Sequence, residues 1–144
     1  MTVSTKGRYA LRIMLDLAVY NTGEPVRVKD IAKRQDISEK YLEQIVTLLT
    51  KNGLIKSVRG AQGGYLLKRQ PEEYTIGDIL RAAEGDLNPM PEGEEEDTAI
   101  LAQCERELFY DRLYSKINEF IDTVTLADLI NDYEARLGGF DFVI

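Results

Sequence analysis

Five polar residues, Lys40, Glu43, Gln44, Thr47 and Lys51, fall at helical spacing, and a glycine-rich stretch follows them at Ser57–Arg69, SVRGAQGGYLLKR. On a helix these five share the face opposite Leu42, Ile45, Val46 and Leu49, and each can donate to or accept from base edges or phosphates. The glycine-rich stretch carries Arg59 near one end and Lys68-Arg69 at the other. An arginine at a hairpin tip suits the narrow minor groove of an A·T-rich tract, where negative potential concentrates. This is the chemistry of recognition. Taken alone, the helix face reads as a solvated surface, and the alternative for Arg59 is a surface charge or a packing ion pair.

Covalent and metal chemistry find little support. The 144 residues include no histidine and one cysteine, Cys104, which removes the commonest general base, the commonest metal ligand and any internal disulfide. Zinc asks for four ligands drawn mainly from Cys and His, and an iron–sulfur cluster for about four thiolates or close substitutes. No catalytic residues, no metal and no cofactor are therefore expected. The loop fails the phosphate-binding pattern because no Gly-Lys-Ser/Thr follows its glycines, and its spacing fails the dinucleotide fingerprint. The run Glu94-Glu95-Glu96-Asp97 lacks the spacing of a calcium loop and reads as a solvated acidic segment. Cys104 lies on an apolar helical stripe, where a thiol is ordinarily inert packing rather than a redox switch.

With 44% hydrophobic and 30% charged residues the chain can bury one core. It shows no secretory leader and no apolar run of about 20 residues, so a cytoplasmic protein without membrane association is expected. The net charge of -7 conceals a division. Residues 1–70 hold 13 Lys and Arg against 6 Asp and Glu, a balance of +7, and residues 71–144 hold 5 against 19, a balance of -14. A cationic front half suits a polyanion, with the acidic half facing away or meeting another partner.

The elements that must position these groups follow from periodicity. Tyr9, Ala10, Ile13, Met14, Leu17 and Ala18 make one apolar helical stripe, ended by Asn21–Pro25. A short helix over Val28–Gln35 turns inward through Ile31 and Ala32. A tight connection at Asp36-Ile37 leads to a third helix with Ser38 as N-cap and Asn52-Gly53 as stop. Short helix, tight turn and longer helix make a helix-turn-helix. Two strands, Leu54–Val58 and Tyr65–Lys68, then form a wing through a loop where Gly60, Gly63 and Gly64 are expected at positive φ. Thr75–Asp78 is a capping box for a helix ending at Glu84-Gly85.

The fold class is thus mainly α with a small β-wing: a winged helix-turn-helix domain over 1–85, an acidic mobile linker over 86–98, and a dimerisation helix with a C-terminal tail over 99–144. The last region carries Leu101, Cys104, Leu108, Phe109, Leu113, Ile117, Phe120, Ile121 and Val124, a stripe of roughly six turns that needs a partner. Leu101, Leu108, Leu113, Ile117 and Phe120 are the expected contacts with a twin. A dimer places two recognition helices about 34–36 Å apart on a pseudo-palindrome of double-stranded DNA.

The motifs Ser4–Ala10, Ser38–Gln44, Asn52–Leu54, Ser57–Gly60, Gly63–Tyr65 and Thr125–Leu129, in that order over nearly the whole chain, resemble the bacterial winged-helix repressors of the Rrf-two family. The resemblance implies a homodimeric transcriptional regulator whose long helix crosses between subunits. It places Glu43 and Gln44 at base-reading positions and Arg59 at the minor-groove position of the wing. Ser38, Lys40, Thr47, Lys51 and Gly60, with Lys6 and Arg8 of the first helix, complete the expected DNA-binding set. Cluster-bearing members hold a [2Fe–2S] centre with three cysteines and a histidine. Here Cys104 stands where the third cysteine would be, Glu107 replaces the histidine, and the linker offers carboxylates in place of the other thiols. The expectation is a cluster-free, CymR-like member acting on cysteine and sulfur metabolism genes. In that branch a C-terminal isoleucine is associated with cysteine synthase, so Phe142, Val143 and Ile144 form a candidate partner-binding tail. The rival reading makes the chain an interaction module that holds such an enzyme, with DNA binding secondary. A tail packed on its own dimer is the structural alternative.

Overall fold

Buried stripes at three- and four-residue spacing decide how the N-terminal helices meet. The computed structural model describes residues 2–90, 93 and 97–141, with residues 139–141 described by backbone alone. Helix α1 (Thr5–Val19) starts where the Ser4 hydroxyl accepts the Gly7 N–H at 3.1 Å, and it buries Ala10, Ile13, Met14 and Leu17. Helix α2 (Val28–Gln35) buries Ile31 and ends at Asp36, which turns left-handed at φ 53°. Helix α3 (Glu39–Lys51) opens on Ser38, whose hydroxyl accepts the Tyr41 N–H at 3.2 Å, and buries Leu42, Ile45, Val46 and Leu49. Strands β1 (Ile55–Val58) and β2 (Gly64–Leu67) pair antiparallel with Ile55 opposite Leu67 and Val58 opposite Gly64. Val26 exchanges both backbone hydrogen bonds with Tyr65, at 2.9 and 2.8 Å, adding a one-residue third rung to the sheet.

Tyr74 is the hub of the wing's base. Its ring is fully buried, and its hydroxyl donates to the Leu54 carbonyl at 2.6 Å while accepting the Lys68 and Arg69 N–H groups at 3.0 Å each. The entrance of β1 and the exit of β2 are therefore tied to one phenol. Tyr74→Phe keeps the apolar ring but strands one carbonyl and two N–H groups. Because Lys68 and Arg69 are exposed, water recovers part of the loss, and the expected cost is about 1–2 kcal/mol in urea denaturation.

Two copies of one device close the fold. Helix α4 (Ile76–Glu84) begins with a capping box in which Thr75 and Asp78 exchange hydrogen bonds at 3.0 Å. Helix α7 (Leu126–Asp141) begins with the same box, Thr125 and Asp128, at 2.9 and 3.0 Å. The two starts bridge each other, since the Ile76 N–H reaches the Val124 carbonyl and the Leu126 N–H reaches the Tyr74 carbonyl, both at 2.9 Å. Leu126 is fully buried in the common core.

Between α4 and α7 runs a helical arm: α5 (Ile100–Glu105), a π segment (Arg106–Tyr110) and α6 (Asp111–Ile121). The π segment widens the spiral and shifts the phase of the apolar stripe partway along it. Leu101, Leu108 and Phe120 are 79%, 64% and 67% exposed, with Ile100 and Phe109 also open, while Leu113 and Ile117 are half-buried. Cys104 on this arm is exposed, not packed, because a single protomer offers α5 no neighbouring wall. At the far end Arg81 of α4 grips Asp122 through two hydrogen bonds at 2.7 and 2.9 Å and reaches Asn118 at 2.8 Å. That guanidinium holds the Asp122 carboxyl below its ordinary value, hydrogen bonding being the main cause. The pair therefore contributes above the usual carboxylate range and is lost only as pH falls through the lowered value.

Candidate nucleic-acid interface

The exposed face of α3 is what its buried stripe leaves over. Ser38, Lys40, Glu43, Gln44, Thr47 and Lys51 are all exposed. Lys40, Glu43, Gln44 and Lys51 have no side-chain hydrogen bond or ion pair to another described residue, so their donors and acceptors face outward. Thr47 differs: its hydroxyl donates to the Glu43 carbonyl at 2.8 Å, leaving it a methyl and acceptor lone pairs to present. Ser38 likewise spends its oxygen on the Tyr41 cap. Tyr9 packs edge-on against Tyr41, with ring centroids 5.6 Å apart, which brings the first turns of α1 and α3 together. Lys6 and Tyr41 line one cleft, and exposed Arg8 donates to the Thr5 hydroxyl at 3.3 Å.

The wing's tip is shaped by two kinds of glycine. Gly60, next to exposed Arg59, has φ 109°, as expected. Gly63 and Gly64 do not share that conformation; a β-carbon there would lie 2.3 Å from the Val58 carbonyl oxygen and 2.4 Å from that of Val26. Close backbone approach, not positive φ, demands glycine at these two positions. Arg27, absent from the sequence-based set, donates to the Ala61 carbonyl at 2.9 Å and ties the loop to the start of α2. Its place just before a helix gives no local hint of a contact 34 residues away.

Behind this face, Asp16 of α1 is buried and accepts Arg34 through two hydrogen bonds at 3.0 and 2.8 Å and Gln35 at 2.8 Å. Arg34 also lies 3.9 Å above the Tyr20 ring. The network fixes the first helix of the helix-turn-helix against α1, and the turn then aims α3.

Residues 3–132 match the family described as Rrf2, iron-dependent transcriptional regulator. The chain belongs to the Rrf2 family. It is 41% identical to the transcriptional regulator CymR of Bacillus subtilis, over all of both chains. It is 37% identical over 134 residues to the regulator IscR of Erwinia tasmaniensis, covering 93% of this chain and 81% of that one. The solved structure of Bacillus subtilis CymR superposes with a TM-score of 0.77 at 42% identity, covering 91% and 97% of the two chains. The winged helix and the small sheet are thus those of a DNA-binding transcriptional regulator of the CymR and IscR type, and not of an enzyme.

The family's iron association meets a poor donor set in this Rrf2 protein. A [2Fe–2S] centre needs about four thiolate or imidazole ligands. The sequence supplies one cysteine and no histidine, and the described residues bring no three Cys, His, Asp or Glu side chains together. The residues do not fit the cluster. Phe142, Val143 and Ile144 lie outside the described residues, as do Glu94, Glu95 and Glu96. Among the described residues no helix is long and apolar enough to cross a membrane.

Proposed function

We propose that the chain is a homodimeric repressor that reads a pseudo-palindromic operator without an iron–sulfur cluster and governs genes of cysteine or sulfur metabolism. The observation that carries this reading is the outward polar face of α3 standing beside a wing whose Arg59 is exposed and uncommitted. Gln44 and Glu43 read base edges in the major groove, Lys40 and Lys51 meet phosphates, and Arg59 enters the neighbouring minor groove. Lys6 and Arg8 add phosphate contacts from α1. The open leucines and phenylalanines of the arm, with Leu113 and Ile117, form the seam with a second copy. The metabolic assignment leans on the full-length likeness to CymR, whose solved structure is described as the global cysteine regulator of its organism.

A salt titration on promoter DNA tests the reading. If each protomer neutralises about four phosphates, log affinity should fall against log salt with a slope near -7 for the dimer. A slope near zero would show that the cationic face holds no duplex.

A further inference from the structure

A regulator that reads two half-sites must fix the distance between its recognition helices, and that distance depends on the angle between each winged domain and its arm. In this chain the arm meets the winged domain at its C-terminal end. There Arg81 donates to both oxygens of Asp122, at 2.7 and 2.9 Å, and to Asn118 at 2.8 Å, while Tyr114 donates to Asp86. The opposite end projects, with Ile100 and Leu101 each 79% exposed.

Gly77 lies one helical turn before Arg81 and makes the close approach feasible. A β-carbon there would stand 2.1 Å from Asp122 Oδ1 and 2.7 Å from Arg81 Nη1. Glycine weakens a helix relative to alanine, so α4 gives up intrinsic stability at the one position where Asp122 must come close. The leverage is large: from Ile100 to Ile121 the arm is about 33 Å long, and a tilt of about 10° at the clamp moves its far end by about 6 Å. That approaches two base-pair steps of DNA at about 3.4 Å each.

We propose that Arg81, Asp122 and Asn118, seated over Gly77, form a positioning clamp that sets the angle of the arm and thereby the half-site spacing the dimer accepts. The inference rests on the dimeric reading above. Its residues touch no DNA; they act through the placement of α3 and the wing.

The test uses the full-length dimer carrying Cys104→Ser and a spin label at Lys33→Cys, an exposed site on α2 outside the binding face. Pulsed dipolar spectroscopy should give a narrow inter-subunit distance distribution. Arg81→Ala and Gly77→Ala should each broaden it, and Arg81→Lys, which restores the ion pair without the fork, should fall between. In the same variants the preference for the correctly spaced palindrome over a single half-site should drop about tenfold, with half-site affinity unchanged. A merely structural role predicts otherwise: both substitutions would lower folding stability while leaving the distance distribution of the folded dimer and its spacing preference unchanged. A narrow, unshifted distribution in both variants overturns the clamp. Absence of any inter-subunit dipolar signal overturns the dimer itself, and the clamp's role with it.

Discussion

Arg34→Ala is expected to lower folding stability by about 3–5 kcal/mol, more than Asp16→Ala, although both remove the same ion pair. The asymmetry comes from burial. The Asp16 side chain is fully buried, whereas Arg34 keeps 29% of its side chain in solvent. Truncating Arg34 abandons a carboxylate in the core with Gln35 as its remaining partner. Truncating Asp16 leaves a guanidinium that water and the Tyr20 ring can still serve. Asp16 raises the Arg34 guanidinium above its ordinary value, chiefly by hydrogen bonding and against the opposing effect of burial. A raised cationic group contributes fully below its unfolded value, far into the alkaline range, and is lost only above it, so wild-type stability should show no dependence on this pair near neutral pH. Denaturant titrations of the two variants at equal salt measure the difference. The exposed pairs Lys116–Glu119 and Arg136–Asp132 carry no comparable weight, since surface pairs contribute about 0–1 kcal/mol.

What could be read from sequence was whatever local rules control. The spacing of Leu42, Ile45, Val46 and Leu49 fixed which face of α3 is buried, and Ser38 and Asn52-Gly53 marked its ends. Val28–Gln35 and the tight connection after it emerged for the same reason, although the left-handed turn at Asp36 that makes it did not. Contacts distant in sequence were not legible. The long-range roles of Tyr74, Val26, Asp16 and Arg27 exist only after the chain has folded back over at least 18 residues. The start of helix α7 is a local signal, because Thr125–Asp128 repeats the capping pattern of Thr75–Asp78. The π segment leaves no pattern of its own, and it is the reason a regular stripe from Leu101 to Val124 does not map onto one straight buried face.

Arg59→Ala and Gln44→Ala should damage DNA binding in separable ways, because one group meets shape and charge and the other a base edge. Arg59 is exposed at the wing's tip, held in place by Gly60, Arg27 and the close-packed Gly63 and Gly64. Removing it should weaken binding about 10- to 100-fold, with the greatest loss on operators whose flanks are A·T-rich, and reduce the salt slope by about 1 per protomer. Gln44 pairs best with adenine, so its loss should cost about 1–3 kcal/mol on the preferred operator and little on random duplex. Glu43 sharpens the contrast. A carboxylate facing a polyanion is repelled unless it accepts from the cytosine amino group, so Glu43→Gln should raise affinity for random duplex while relaxing one position of the operator. Gel shifts on matched and scrambled duplexes at two salt concentrations resolve all three. If Gln44→Ala and Glu43→Gln weaken every duplex equally, α3 grips the backbone and sequence must be read elsewhere.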